Sequence, residues 1–409
     1  MPTASAADTA RVLSTVLSPI VAQGPILRRP RMVALAERLD ADRRAGRLLR
    51  GLRGKYGPDP LRLRVPGRSM ALVLSVPDVR AVLLGSPEPY ALANREKVAA
   101  LTHFQPHGVL VSHGPVRAER RRFNEQVLGA APLDDITARI RAEAVLPERL
   151  TWDGFAAMWW PLVRRVVLGD GARDDAELTG MLTALRADAN WAYLRPKRTG
   201  LRRRFEQRLH GHLARAERGS LAEVLARTPA AEVTDPEGQV PHWLFAFDAA
   251  GIAAYRALAL LATGPTDRDL PYLQASVLES VRLWPTAMVI LRDSTTRIGE
   301  FPAGTAFVIV SSYFHRDPAL PYADRFTPEI WLDGRARDNW SLVPFSGGPG
   351  ECPGRNLVLF TTGTLLGTLL DRYHLRPVGG LDPAGPLPGT LDHTALRFAV
   401  TARQPVSAS

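Results

Sequence analysis

The stretch Phe345-Ser-Gly-Gly-Pro-Gly-Glu-Cys-Pro-Gly354 contains Cys352, the only cysteine among 409 residues. Glycines and prolines surround this cysteine, and a helical pattern starts directly after it. Such a loop lets backbone N–H groups turn toward the sulfur, and the positive end of the following helix further favours thiolate over thiol. A thiolate supported in this way is a good axial ligand for iron. The stretch therefore predicts a thiolate-ligated metal site.

Three other roles for Cys352 were weighed against this one. A lone cysteine is most often a small buried hydrophobic residue, but a glycine-rich loop is a poor place to bury one. A nucleophilic cysteine needs a histidine partner, and no Cys/His signature is legible. A phosphate-binding loop would end in Gly-Lys-Ser or Gly-Lys-Thr, which this stretch does not. One cysteine also excludes an intramolecular disulfide and a cysteine-rich zinc site, which fits a reducing compartment.

The spacing of Phe345, Gly348, Cys352 and Gly354 resembles the haem-binding signature of the cytochrome P450 superfamily. The resemblance implies that Cys352 is the proximal ligand of haem b (iron protoporphyrin IX), with Phe345 packed against it and Gly354 beside it. It also implies a mainly α fold with a minor β portion, in which the haem lies between a distal helix and the cysteine loop. The likeness extends from about residue 50 to about residue 400.

The segment Leu278-Glu-Ser-Val-Arg-Leu-Trp-Pro285 matches the Glu-x-x-Arg element of that family. Glu279 and Arg282 are three residues apart on a predicted helix, 270–283, so they lie on one face and can pair. An exposed pair of this kind would contribute little to stability. The apolar residues on either side favour a buried structural pair instead.

Two further segments, Phe314 to Ala319 and Tyr322 to Trp331, resemble the family's meander ahead of the cysteine loop. The Glu/Arg pair usually has a third partner, an arginine that follows Pro-Glu. This chain has Ile330 at that position. Either Arg325 or Arg335 takes its place, or the triad is incomplete.

The segment His113 to Asn124 resembles the helix that binds a haem propionate in this family. Arg117 and Arg121 are one helical turn apart, and guanidinium groups match carboxylates bidentately. The resemblance implies that Arg292 is a third propionate-binding residue. The family's usual His or Arg two places before the cysteine is Gly350 here, and Arg117 is expected to compensate for it.

The longest apolar run, Trp243 to Thr263, contains Asp248 and Arg256. Because charges are costly in the middle of a membrane span, a buried core helix is predicted. The run resembles the family's distal helix, in which an acid followed by a threonine relays protons to bound oxygen. The alignment puts Asp248 at the acid and Ala249 at the threonine. A proton-relay role for Asp248 is favoured over a structural salt bridge with Arg256 or another arginine.

The missing hydroxyl group at Ala249 leaves three possibilities. The substrate or an ordered water supplies the relay, or peroxide replaces dioxygen as the oxidant, or the reaction is an oxidative coupling or a desaturation. The first is preferred, which makes the protein a monooxygenase that inserts one atom of O2 into a hydrophobic small molecule. A haem-binding protein without turnover is the alternative from another class, and the retained Asp248 argues against it.

The resemblance also implies a mostly apolar substrate pocket and a separate electron donor. Electrons are expected to come from a ferredoxin and a ferredoxin reductase, since no flavin or iron–sulfur segment is recognisable. The pocket is expected to be lined by Phe104 and Val109 before the propionate helix, Phe245 and Phe247 of the distal helix, Ala287 and Met288, and the region near Trp191 and Tyr193.

The composition, 45% hydrophobic and 23% charged, is that of a folded globular protein. Arginine supplies nearly all of the net charge of +11, and the densest stretches are 117–122 and 195–208. Aromatic residues do not alternate with these arginines, so nucleic-acid binding is not predicted. We expect a cytoplasmic bacterial monomer of secondary metabolism, bound to no membrane. One domain is expected over 1–409, with an N-terminal extension (about 1–45), β-rich parts (about 55–80 and 286–312) and helical parts (about 115–285 and 352–375).

Overall fold

The computed structural model describes residues 1–262, 269–379, 381–382 and 385–403. Helices form most of the regular structure in these ranges, and two small β-sheets form the rest. The predicted fold class, mainly α with a minor β portion, is confirmed. The first residues are part of the fold as well, because Ala4 donates its N–H to the Arg62 carbonyl at 2.9 Å.

Twelve helices precede the long apolar segment, several with a polar side chain that accepts an N–H group of the first turn, as Ser75, Asn94 and Thr151 do. They are α1 (Ala6–Val12), α2 (Ser18–Gln23), α3 (Pro30–Arg38), α4 (Ala41–Tyr56), α5 (Val76–Leu84), α6 (Arg95–Leu101), α7 (Gly114–Gly129), α8 (Leu133–Glu143), α9 (Trp152–Leu168), α10 (Ala176–Ala189), α11 (Thr199–Leu213) and α12 (Leu221–Arg227). Four follow in the rest of the described chain: α13 (Val240–Leu261), α14 (Leu270–Leu283), α15 (Ser311–His315) and α16 (Arg355–Arg372).

The larger sheet has five strands in the order β1-β2-β6-β5-β3, and the smaller has three in the order β4-β8-β7. All neighbouring strands are antiparallel except β2 and β6, which are parallel. The antiparallel pair β1 and β2 lies within the expected β-rich part about 55–80, and every residue of β6 is buried because β6 lies inside the sheet. The strands are β1 (Leu61–Leu63), β2 (Met70–Leu72), β3 (Tyr90–Ala91), β4 (Arg149–Thr151), β5 (Val289–Ser294), β6 (Ala306–Val310), β7 (Tyr373–Pro377) and β8 (Arg397–Ala402).

The α13 helix runs through the main hydrophobic core, where it packs against α9, α14 and α16. A stretch that includes it, Glu232–Leu261, has the length and the mean hydropathy, 1.6, of a membrane span. Of its most apolar window, 78% is buried inside the protein, as the sequence predicts for a core helix. A second core lies between the larger sheet and the N-terminal helices.

The α14 helix begins and ends where the sequence predicts. Asp269 accepts the N–H of Tyr272, and the helix ends two residues before Pro285. Glu279 and Arg282 have no exposed side-chain surface and form a bidentate pair at 2.6 and 2.7 Å. The predicted buried structural pair is therefore present.

The third partner of this pair differs from the expectation. The indole N–H of Trp331 donates to Glu279 at 3.0 Å. Arg325 contributes only its backbone carbonyl, which accepts from Arg282 at 2.7 Å, and Arg335 pairs with Asp333 instead. A neutral donor thus occupies the place of the expected cation, and it ties the segment before the cysteine loop to α14.

Candidate haem-thiolate site

The loop 345–354 is closed by a backbone hydrogen bond from Cys352 N–H to the Phe345 carbonyl at 3.0 Å. Gly348 has φ +60°, and a Cβ atom there would lie 2.5 Å from the carbonyl oxygen of Leu83. Only glycine fits a left-handed conformation pressed so closely against another backbone. The loop therefore holds the sulfur at a fixed position ahead of α16.

The thiol of Cys352 is deeply placed, and burial raises its pKa above the ordinary value. The N–H of Gly354 and the positive charge of Arg121 act in the opposite direction, with a smaller effect. The loop N–H of Gly354 thus favours thiolate as expected, but in the protein without haem burial outweighs it. A cation facing the sulfur is needed, and coordination to a metal deprotonates a thiol.

Three cations lie close together near this loop: Lys97 of α6, Arg117 of α7 and Arg292 of β5. Arg117 donates to the Pro349 carbonyl at 3.2 Å, and Arg292 donates to the Ser346 hydroxyl at 3.1 Å. Lys97 donates to two backbone carbonyls at 3.1 and 3.4 Å. In the part of the chain that the structure describes, none of the three forms an ion pair with a carboxylate.

Burial and mutual repulsion both act on this cation cluster. Burial lowers the pKa of Arg292 to about 10, and Arg117 lowers it further. Burial also lowers the pKa of Lys97 well below its ordinary value, followed by repulsion from Arg292. A buried cluster of like charges is costly unless an anion neutralises it. Lys97 was not among the predicted haem-binding residues, although it is one of only three lysines in an arginine-rich chain.

Arg121 and Gly350 occupy places that the sequence did not predict. Arg121 donates to the Glu351 carbonyl beside the cysteine and pairs with Glu125 at 2.6 Å, so it belongs to the cysteine side of the site rather than to the cation cluster. A Cβ atom on Gly350 would lie 2.7 Å from Nη2 of Arg292. A His or Arg at position 350 would therefore displace Arg292. Lys97 of α6 supplies a cation in place of the one that the family usually has at this position.

One stripe of α13 is partly accessible although the helix is otherwise almost entirely buried. It consists of His242, Phe245, Ala246 and Ala249, which lie on one face at helical spacing. Phe245 contacts His242 and Phe104 edge-on, with ring centroids 5.6 Å apart in both cases. Burial lowers the pKa of His242 to about 4, so its imidazole is neutral at physiological pH. This stripe is therefore the face of α13 that a bound group can contact.

Phe247 does not belong to this stripe, contrary to the expectation. It is 3% exposed and lies against Trp159 of α9, whose indole N–H donates to the Phe247 carbonyl at 2.9 Å. Two residues turn an α-helix by about 200°. Phe245 and Phe247 therefore cannot line the same space.

Asp248 pairs with Arg186 of α10 at 2.6 Å, not with Arg256. Arg186 is 1% exposed and also lies over the Phe245 ring, 4.9 Å from its centroid. The pair occupies Oδ2 of Asp248, and Oδ1 has no hydrogen-bond partner among residues 1–262, 269–379, 381–382 and 385–403. Arg256 instead donates to two backbone carbonyls.

The other residues that were expected to line the pocket differ in how exposed they are. Ala287 is exposed between the half-buried Thr286 and the buried Met288, and Met288 and Val109 are 9% and 5% exposed. Phe104 reaches the stripe through Phe245. The connection between α10 and α11 lies on the surface, and its aromatic residues Trp191 and Tyr193 are 42% and 63% exposed.

These residues fit a haem group. A half-buried thiol, a cation cluster without carboxylates and an accessible stripe with two alanines on α13 match an iron ion, two propionates and a flat apolar ring. Cys352 would hold the iron, and Lys97, Arg117 and Arg292 would bind the propionates.

Comparisons with known proteins agree with this geometry. Residues 266–393 match the family model described as cytochrome P450. The structure of retinoic acid bound cyanobacterial CYP120A1 covers 87% of this chain and 94% of its own, with a TM-score of 0.67 at 16% identity. The family model, the curated relatives and the solved structure all support membership of the cytochrome P450 superfamily. The chain has the P450 fold, and its cofactor is haem.

Curated relatives of this P450 match over short stretches. Cyclooctat-9-en-7-ol 5-monooxygenase of Streptomyces melanosporofaciens is 36% identical over 126 residues, which are 28% of each chain. Cytochrome P450 monooxygenase cicH of Emericella nidulans is 34% identical over 129 residues, 29% of this chain and 26% of that protein. The matches thus span little more than a quarter of these relatives. The family-model match includes Glu279, Arg282, Arg292 and Cys352 but not α13.

Proposed function

We propose that this P450 is a monooxygenase that inserts one atom of O2 into a hydrophobic small molecule. The observation that carries the proposal is the cation cluster without a carboxylate partner, which bonds to the loop of Cys352 through Arg117 and Arg292 and lies close to His242 of the accessible stripe through Lys97. Haem bound by these residues supplies the oxygen chemistry. The names of two curated relatives, both monooxygenases, support the reaction class.

The residues of α13 have two tasks in this proposal. Phe245, Ala246 and Ala249 present an apolar surface that excludes water and admits an apolar substrate. Asp248 carries protons at Oδ1, because Arg186 holds Oδ2. Position 249 offers no hydroxyl group, so an ordered water or a hydroxyl of the substrate connects Asp248 to the reacting oxygen.

Electrons come from a separate donor, which we propose is an acidic ferredoxin reduced by its reductase. A groove of about 230 Å³ lies on the cysteine side of the protein and is lined by Trp331, Phe345, Arg337 and Arg355, among others. Arg337 is exposed and has no carboxylate partner in the described part of the chain. A positive surface next to the cysteine loop attracts an acidic partner and shortens the path for electrons.

The setting that we propose is the cytoplasm of a bacterium, in secondary metabolism, with the protein as a monomer. Two observations support an apolar small molecule as substrate. One relative is named for oxidising cyclooctat-9-en-7-ol, and the structural neighbour binds retinoic acid.

Two measurements test the proposal. The reduced protein under carbon monoxide must show the Soret position typical of a haem thiolate, and its absence would refute the assignment. Products formed with a ferredoxin system under isotopically labelled dioxygen must contain one labelled atom. An oxidised product without label would instead indicate oxidative coupling or desaturation.

Ala249 favours one second candidate, a P450 driven by peroxide. A site without the distal hydroxyl group is poorly equipped to deliver protons to dioxygen, whereas peroxide already carries them. Turnover rates with hydrogen peroxide and with a ferredoxin system separate the two. A rate that is higher with peroxide, and that does not depend on Asp248, supports the second candidate.

A further inference from the structure

The segment Gly24–Arg29, between α2 and α3, closes the side of the distal space. The side-chain oxygen of Asn190 accepts the N–H groups of Ile26 and Leu27 at 3.0 and 3.2 Å, and the Asn190 amide donates to the Leu27 carbonyl at 2.7 Å. Arg186, which holds Asp248, donates to the Ile26 carbonyl at 2.8 Å. The segment is therefore fixed next to the proposed proton carrier.

Arg28 of this segment reaches inward to the residues that follow α14. It donates to the carbonyls of Thr286 at 2.6 Å and Gly24 at 3.2 Å, and it contacts the sulfur of Met288 at 3.3 Å. All three acceptors are neutral. The Nε–H group has no partner among the described residues, and Nη2 has one acceptor, Thr286, for its two N–H groups. Nε and Nη2 form the edge with which a guanidinium binds a carboxylate bidentately.

The charge of Arg28 is not neutralised by direct contact. Its two nearest acidic residues, Asp42 and Asp248, act on it only at longer range. Asp42 accepts from the hydroxyls of Ser312 and Thr390, and Asp248 accepts from Arg186. Burial lowers the pKa of Arg28 to about 10, so the group is still charged at physiological pH. A deep guanidinium in this state is stabilised by an anion that enters with a ligand.

A cavity of about 20 Å³ lies between Arg28, Asp42, Arg256 and Met288. It has room for about one water molecule. A water there would relay a hydrogen bond to Asp42 but would not neutralise two guanidinium groups. Part of Arg28 is accessible, and Ala287, which lies between the Arg28 partners Thr286 and Met288, is exposed. A ligand can therefore approach Arg28 from this side as well.

The surface above this segment is positively charged. Arg29 lies over the ring of Trp191 at 4.7 Å, and Arg95 lies over the ring of Tyr193 at 5.9 Å. Arg195 and Lys197 are exposed in the same connection between α10 and α11. Such a rim raises the local concentration of anions.

We propose that Arg28 binds the carboxylate of a hydrophobic acid and so determines the substrate class of this P450. The proposal rests on the proposed monooxygenase function. The carboxylate meets the free edge of the guanidinium, and the apolar remainder lies along Ala287 and the stripe of α13. The positive rim attracts the acid, and a neutral compound of the same shape gains neither interaction.

Titration with a matched pair of ligands tests this at neutral pH, where the acid is ionised. Dodecanoic acid and dodecanol are added to the haem-loaded protein, and binding is followed by the Soret shift and by calorimetry. We expect the acid to bind about tenfold more tightly or better, as a charge-assisted hydrogen-bond pair implies. In Arg28→Met the acid should lose this advantage while dodecanol binding changes less than about twofold. Arg28→Lys should retain part of the preference.

Arg31→Met is the control, because Arg31 is exposed on α3 and should leave both affinities unchanged. Equal binding of acid and alcohol to the wild type would overturn the proposal, and so would a failure of the acid to bind at all. An equal weakening of both ligands in Arg28→Met would assign Arg28 a structural role instead. The carbon monoxide spectrum of each variant separates these results from a failure of the haem-thiolate assignment.

Discussion

The two sides of the haem site differ in whether their enclosed charges have a partner of opposite charge. On the cysteine side, Glu279 and Arg282 are completely buried, but each lies against the other, and Trp331 donates to the carboxylate as well. On the distal side, Lys97 and Arg28 are largely enclosed, with part of each side chain accessible, and they bond only to neutral acceptors. An unpaired buried charge costs several kcal/mol. The buried Glu279/Arg282 pair on the cysteine side is therefore neutralised within the protein, whereas Lys97 and Arg28 on the distal side are neutralised by a bound ligand.

The largest effect should come from the residue that joins the two sides. In Cys352→Ala the haem-thiolate Soret band should disappear and oxygen-dependent turnover should fall below detection, because the ring loses its only sulfur ligand. Haem should still associate weakly through the cation cluster. Absorption spectra with and without carbon monoxide check this, and an unchanged spectrum would mean that another residue holds the iron.

A second test concerns the scaffold. Glu279→Gln leaves the charge of Arg282 buried without its partner, and we expect a loss of about 3 to 5 kcal/mol in the free energy of unfolding. Urea denaturation of the haem-loaded protein measures it. The control is Glu206→Gln, which breaks a partly exposed i,i+4 pair with Arg202 at 3.2 Å and should cost less than about 0.5 kcal/mol. Similar losses in the two variants would show that the buried pair is not structural.

The cysteine side is also the part that the sequence predicts well, for a physical reason. Glu279 and Arg282 are neighbours on one helix turn, and the loop around Cys352 is set by adjacent glycines. Local geometry of this kind follows from spacing alone. Trp331 could not be predicted as the third partner. Its indole N–H reaches Glu279 because of the path that the chain takes between Tyr322 and Trp331, and spacing alone does not give that path.

The distal side depends on contacts between remote segments, and the sequence predicts it poorly. Asp248 meets Arg186, which is 62 positions away, and Arg28 meets Thr286, which is 258 positions away. No periodic pattern encodes such pairs. The resemblance to the distal helix predicts Ala249 and Phe245, but His242 and Ala246 of the accessible stripe follow only from the packing of α13.

The proton carrier offers a third test, with an effect on rate rather than on stability. Asp248→Asn should slow oxygen-driven turnover by about 100-fold, because the amide cannot carry a proton at Oδ1. Turnover on hydrogen peroxide should change little. The control is Asp188→Asn, which removes a surface ion pair with Arg198 on the same side of the protein. An equal loss with both oxidants would mean that Asp248 holds Arg186 in place and carries no proton.

The smallest expected effect is on haem retention, and it tests the distal cations directly. Lys97→Met removes one charge-assisted hydrogen bond to haem and leaves the two arginines of the cluster in place. We therefore expect haem to dissociate about tenfold faster. Transfer of haem to an excess of apomyoglobin measures the rate. Lys197→Met, which removes an exposed lysine, should leave it unchanged.

The same variant should stabilise the haem-free protein, and this opposite sign distinguishes a ligand-binding lysine from a structural one. Burial and Arg292 lower the pKa of Lys97 well below 10.5 in the folded chain. The unfolded chain then binds this proton more tightly, so the free energy of unfolding of haem-free wild type rises as the pH increases toward 10.5. That rise should be missing in Lys97→Met, which should be the more stable of the two haem-free proteins at pH 7. If Lys97→Met destabilised both forms equally, Lys97 would serve packing rather than the propionates, and the contrast between the two sides of the site would not extend to it.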